Sequence, residues 1–152
     1  MSDDFWNSCS YLDTNIFIYL FDNSDPLKNH CASLIYDHFL RNGNGRISVQ
    51  VISEWRNVIV KKYGDIVGSD TRREFLLCLK AFNPWLITPD TVLSADKLCD
   101  KYALSAYDSI HVQSAIEMQC SFLLSEDLQH GQIIENRLKI VNPFIEKRKP
   151  KL

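Results

Sequence analysis

The feature that most constrains this chain is an alternation of short β-prone runs with longer segments whose apolar residues recur at helical spacing. The β-prone runs fall at residues 9–12, 46–49, 85–88, 121–124 and 138–141, and each except the last is followed by a stretch that reads as helix. Strands joined through crossing helices pair in parallel, because a tight hairpin turn is not available to them. The expected fold class is therefore α/β: a three-layer α/β/α sandwich around a central, mostly parallel sheet of about five strands, Rossmann-like in its winding.

The helical segments carry one apolar face each. Ala32, Ile35, Tyr36 and Phe39 share a face, as do Phe75, Leu76, Leu79 and Phe82, so their aromatic residues are expected in the core. From Ile110 to Met118 apolar residues alternate with small Ser109 and Ser114 on more than one side, which predicts a largely buried helix. Gly43-Asn44-Gly45 and residues 64–69 read as loops, and no Pro-, Gly- or Ser-rich stretch is long enough to link two domains. The 152 residues are expected to form one domain, with a core over about 9–144 and a basic tail over 145–152 that is mobile in solution.

Charge narrows the partners. A formal net charge of −2 argues against gripping nucleic acid by bulk electrostatics, so any nucleic acid must be held locally. Met1-Ser2-Asp3-Asp4 is unlike a signal peptide and no run approaches the ~20 apolar residues of a membrane span, so a cytoplasmic protein without membrane contact is expected. Cys9, Cys31, Cys78, Cys99 and Cys120 are scattered, with no close sequence pair that would bind zinc or do redox chemistry, and are expected as buried free thiols.

A parallel sheet opens its ligand crevice at the carboxyl ends of its strands, so chemistry is sought just after strands. Four acids lie there. Asp13 ends the first run, Glu54 sits in the first turns of the helix after the second, Asp108 opens the buried helix, and Asp127 follows the fourth run. Each has a structural reading: Asp13 as a helix N-cap, Ser105-Ala106-Tyr107-Asp108 as a capping box, and first-turn acids as partners of the helix dipole. Convergence favours a site, since neighbouring strands stand only about 4.8 Å apart and clustered carboxylates need a cation. No Lys or Arg lies within a few residues of Asp13, Asp108 or Asp127, which points to a hard divalent cation, Mg²⁺ or Mn²⁺. Asp90 also follows a β-prone run but is read as a cap.

The order of these acids carries a resemblance. Tyr11-Leu12-Asp13-Thr14-Asn15-Ile16 resembles the opening motif of PIN domains, Ser53-Glu54-Trp55 their second, Tyr107-Asp108-Ser109-Ile110-His111 with Ala115 their third, and Ser125-Glu126-Asp127-Leu128-Gln129-His130-Gly131 their fourth. Asn142-Pro143-Phe144 is similar to the usual ending, so the likeness runs from about Tyr11 to Phe144. It is strongest to the toxin branch, commonly called VapC.

The resemblance implies a PIN-like fold and a metal-dependent endoribonuclease in which Asp13, Glu54, Asp108 and Asp127 are both catalytic and metal-holding. Thr14, Asn15 and Ser125 would orient carboxylates or water. It implies in-line hydrolysis that leaves a 3′-hydroxyl without a covalent enzyme intermediate, and partners comprising RNA (transfer RNA among the targets of the branch), a small antitoxin protein and a second copy of the chain. Some relatives carry a further acid where this chain has Gln129, so a second metal would be held weakly here or only with substrate.

His111 and His130 read as structural hydrogen-bonding groups before general bases, and helical spacing leaves open whether Trp55 and Arg56 touch RNA or lie in core and solvent respectively. Two other aspartate chemistries fit poorly: Asn15 stands where an aspartate-nucleophile phosphatase needs a second Asp, and Lys139 falls inside the last run rather than near its end, as a phosphoacceptor domain requires. The remaining alternative is a PIN-like scaffold that binds RNA or protein without cutting it.

Overall fold

The computed structural model of the chain describes residues 4–145. The elements run β1 (Ser10–Leu12), α1 (Thr14–Tyr19), α2 (Pro26–Asn42), β2 (Gly45–Arg46), α3 (Val49–Lys62), α4 (Ser69–Lys80), α5 (Pro89–Tyr102), α6 (Ala106–Glu117), β3 (Phe122–Leu124), β4 (Ile133–Ile134) and β5 (Leu138–Val141). The five strands order as β2-β1-β3-β5-β4. β1 pairs in parallel with β2 and β3, β3 in parallel with β5, and β4 antiparallel with β5. The expected mostly parallel α/β/α sandwich is the fold observed.

Strand order reverses at β1. The chain leaves β1 toward β2 on one side and returns to β3 on the other, and right-handed crossovers put the two connections on opposite faces of the sheet. That reversal opens a crevice between the carboxyl ends of β1 and β3. The helices are delimited by local chemistry. Asp25 caps α2 ahead of Pro26, Thr88 and Thr91 form a reciprocal capping box that starts α5 at Pro89, and Gly43 ends α2 in the left-handed region at φ 68°. At Gly45 a Cβ would stand 2.8 Å from the Phe39 Cβ, so only glycine lets β2 run this close beneath α2.

Two expectations about strands are corrected. Residues 85–88 are not a strand: Trp85 makes a single parallel bridge to Ser48, and the capping box at Thr88 with Pro89 begins a helix before a ladder can extend. The fourth run is followed not by a helix but by β4, which folds onto β5 through a turn closed by Arg137 N–H donating to the Ile134 carbonyl at 3.1 Å. Glu135 and Asn136 occupy its centre at φ 51° and 55°. A turn of this kind is usually marked by Asn-Gly or Asp-Gly, and Glu-Asn hides it.

The core is aromatic around α3. Trp55 is fully buried, its ring centroid 4.8 Å from that of Phe75 and 5.6 Å from that of Phe21. Arg56 beside it is exposed, so Trp55 takes the core position and Arg56 the surface one. Ala32, Ile35 and Phe39 of α2 and Ser109, His111, Val112, Ser114 and Ala115 of α6 are buried as the periodicity predicts. The cysteines differ from expectation: Cys78 is exposed and only Cys120 is fully buried. No described helix is long and apolar enough to cross a membrane. The basic run 147–151 lies outside the described residues.

Candidate metal centre

Where β1 ends, Leu12 hands the chain to Asp13, whose backbone N–H donates to the Leu124 carbonyl of β3 at 3.0 Å. Asp13 is the N-cap of α1 and its Oδ1 accepts from the Thr14 N–H at 2.7 Å. The capping reading is thus correct as local structure. It leaves Oδ2 free for another partner, and Ser125, just past β3, donates its hydroxyl to that oxygen at 2.6 Å. Asp13 is only 4% exposed, its carboxylate fixed from the start of α1 by Thr14 and from the end of β3 by Ser125.

Helix α3 brings Glu54 to the same place. Its Oε2 accepts from the Thr14 hydroxyl at 2.6 Å and lies 2.9 Å from His111 Nε2, while Oε1 accepts from the Gln50 amide at 2.6 Å. His111, on α6, stands 3.5 Å from Asp13 Oδ1 with its other ring nitrogen 2.6 Å from the Tyr11 hydroxyl, which in turn lies 2.8 Å from Ser48 Oγ. Hydroxyl protons can reverse along such a chain. With His111 neutral, Ser48 donates to Tyr11 and Tyr11 to Nδ1; with His111 protonated, Nδ1–H donates to Tyr11 and Tyr11 to Ser48. Both charge states of the buried imidazole are therefore satisfied.

The electrostatics follow from this packing. Burial opposes charge on His111, but Asp13, Glu54 and Asp108 outweigh it and raise its pKa. Burial likewise works against the Glu54 carboxylate, yet the His111, Gln50 and Thr14 contacts prevail and lower it to about 2. Asp108, at the start of α6, goes the other way: burial first, then the Asp13 and Glu54 charges, raise its pKa despite the bond to Ser105. A carboxyl group whose ionisation is opposed by burial and by neighbouring carboxylates, as that of Asp108 is, marks a place where a cation is stabilising.

Ser105 caps α6 and accepts from the Asp108 N–H at 3.1 Å, so the capping geometry read from Ser105 to Asp108 is real and coexists with the charge coupling. Asp127 is the outlying member. It is exposed, and it joins the group through Asn15, whose amide donates to Oδ2 at 3.1 Å, and through its backbone N–H, which donates to Ser125 Oγ at 3.1 Å. Glu126 turns away to pair with Lys28 at 2.9 Å and to accept from Tyr19. His130 accepts from the Asn142 N–H at 3.0 Å, and Asp90 lies in the first turn of α5, whose cap is Thr88 rather than Asp90.

The donor set fits a divalent cation. One ligand atom each from Asp13, Glu54 and His111 lies within 4.8 Å of the others. Asn15 Oδ1 and Gln50 Oε1, acceptors only, are buried beside these residues without a hydrogen-bond donor, as oxygens facing a hydrated cation would be. In sequence His111 reads as a core histidine, and it is one, but it also joins the acids. The signal was its position three residues after Asp108, on the same helical face. Gln50 was missed as well, and stands one turn before Glu54 on α3.

The sequence profile of the PIN domain family matches residues 10–136. Among solved structures, a toxin-antitoxin complex from Klebsiella pneumoniae shares the fold with a TM-score of 0.61 at 20% identity, over 88% of this chain and 97% of that one. No curated protein matches the chain in sequence.

Proposed function

Because this chain belongs to the PIN domain family, we propose that it is a divalent-cation-dependent endoribonuclease and the toxin of a toxin–antitoxin pair. The observation that carries the reading is the meeting of Asp13, Glu54 and His111 at the crevice between β1 and β3, with the Asp108 charge coupled to them. An inert scaffold has no reason to crowd ionised side chains in this way.

In this reading Asp13, Glu54, Asp108 and Asp127 hold Mg²⁺ or Mn²⁺, which when bound neutralises phosphate charge and makes water a better nucleophile. Ser125 and the Thr14 N–H fix the two Asp13 oxygens, and Thr14, Gln50 and His111 fix Glu54. Asn15 ties Asp127 to the start of α1. The protein would contribute placement and charge; in-line attack by water with a 3′-hydroxyl leaving needs neither a covalent enzyme intermediate nor the ribose 2′-hydroxyl. An antitoxin, a second copy of the chain and an RNA substrate, transfer RNA among the candidates, are the partners that go with a cytoplasmic toxin of this family.

The test is cleavage of RNA by the purified protein with Mg²⁺ or Mn²⁺, with and without a chelator, followed by end-group analysis. The reading requires cleavage that stops on chelation and leaves 5′-phosphate and 3′-hydroxyl ends. Chelator-resistant cleavage or 2′,3′-cyclic phosphate ends would overturn it in favour of ribose-assisted chemistry, and RNA binding without cleavage would favour the scaffold.

A further inference from the structure

At the opposite end of β1 from Asp13, two cysteines 111 positions apart meet. Cys9 Sγ and Cys120 Sγ lie 3.5 Å from one another. Cys9 precedes β1 and Cys120 precedes β3, and the Ser121 N–H donating to the Cys9 carbonyl at 2.9 Å extends the β1–β3 ladder to this level. In that register Cys9 lies opposite Ser121, so Cys120 is one residue out of step. The sulfurs need to close by only about 1.5 Å to reach bonding distance.

The two thiols are not equivalent. Cys9 is half-buried and Cys120 buried. A hydrogen bond from Cys120 lowers the Cys9 pKa against the effect of burial, and Arg46 adds to the lowering; the same pairing, with burial, raises Cys120. The more accessible sulfur is thus the one held closer to thiolate, and the protected sulfur stands within reach of it.

We propose that Cys9 and Cys120 form a dithiol that hydroperoxides oxidise to an intramolecular disulfide. The Cys9 sulfur attacks the peroxide O–O bond, becoming a sulfenic acid as one water leaves. The Cys120 sulfur then attacks the Cys9 sulfur, forming the S–S bond and expelling the hydroxyl, which takes the Cys120 proton as a second water. Two thiols and one H₂O₂ give one disulfide and two waters, and a dithiol reductant reverses the change. The site lies apart from the acids at the other end of the sheet, and its chemistry does not depend on the nuclease reading.

The experiment treats the reduced, full-length protein with a small excess of H₂O₂, quenches with catalase, alkylates free thiols under denaturing conditions and maps the peptides. The expected result is a fall from five alkylated cysteines to three, with a Cys9–Cys120 cross-linked peptide two hydrogens lighter than the sum of its parts and restored by dithiothreitol. In Cys9→Ser, Cys120 should stay reduced under the same treatment. Oxidation that begins at exposed Cys78 while Cys9 and Cys120 remain alkylatable would overturn the proposal. So would Cys9 driven to a sulfinic acid with Cys120 untouched. The wild-type map alone decides, so the conclusion does not hang on the folding of a variant.

Discussion

The Ser125 hydroxyl donates to Asp13 Oδ2 at 2.6 Å and, with the same oxygen, accepts the Asp127 N–H at 3.1 Å. One side chain thereby sets the orientation of a β1 carboxylate and the course of the loop that carries the fourth acid. Ser125→Ala removes both bonds without altering a charge. It is expected to lower metal affinity or turnover by roughly 10–100-fold while the fold survives. A metal titration and a kcat-against-KM comparison check this, and unchanged values in both would show that Ser125 serves the loop alone.

Asp13→Asn and Asp108→Asn are each expected to cut turnover by roughly 100-fold or more, as loss of a metal-holding carboxylate should. Asn caps a helix about as well as Asp, so α1 survives the first substitution, and α6 keeps its Ser105 cap in the second. Asp90→Asn, in the exposed first turn of α5, should leave turnover within a factor of about two. Equal loss at Asp90 would mean that turnover does not depend specifically on Asp13 and Asp108.

Stability separates a metal cluster from a structural acid by sign. The Asp108 pKa is raised by burial and by the Asp13 and Glu54 charges, so its ionised form is less favourable in the metal-free fold than in the unfolded chain. In chelator, Asp108→Asn should melt at or above the wild-type temperature. Millimolar Mg²⁺ should then raise the wild-type melting temperature more than that of the variant, because only the folded state binds the cation. A wild type indifferent to Mg²⁺, with a variant clearly less stable in chelator, would make Asp108 structural.

The metal-free protein should also show a pH window. His111 has a folded pKa raised above the usual 6.5, so its stabilising contribution is complete below 6.5 and is lost as pH rises through the folded value. Glu54 is lowered from 4.5 to about 2, so its contribution is complete above 4.5 and is lost as pH falls toward 2. Melting temperature in chelator should therefore be flat between about 4.5 and 6.5 as far as this pair is concerned and decline on both sides. His111→Gln should abolish the alkaline decline; an identical slope in the variant would assign that decline to other groups.

In cells, expression of the chain alone is expected to arrest growth, and co-expression of an antitoxin encoded beside it to relieve the arrest. Asp13→Asn should be harmless. Arrest that persists with Asp13→Asn would mean that toxicity does not depend on the acidic centre.

The parts of the structure legible in the sequence were those governed by period and by capping. The apolar faces of α2 and α6, Asp13 at the end of β1 and the Ser105 cap all follow from local chemistry. What escaped depends on tertiary context. The 135–136 turn lacks a glycine, and strand identity at Trp85 was decided by how soon a helix had to begin. The place of His111 among the acids required knowing that α6 brings its ring within reach of Tyr11 on β1 and Glu54 on α3. The same holds for Cys9 and Cys120, which only the β1–β3 ladder brings together.

Glu54 and Trp55 are consecutive on α3, and an α-helix turns about 100° between neighbours. The ring wedged between Phe21 and Phe75 therefore works as an indexing pin, fixing the rotation of the helix about its own axis and with it the bearing of the carboxylate one position earlier. A helix free to roll by even a fraction of a turn would carry Glu54 out of reach of Thr14 and His111. Tolerance to change along α3 is thus set by alignment before stability: a substitution at the aromatic wedge that the fold accepts can still leave the carboxylate pointing past its partners.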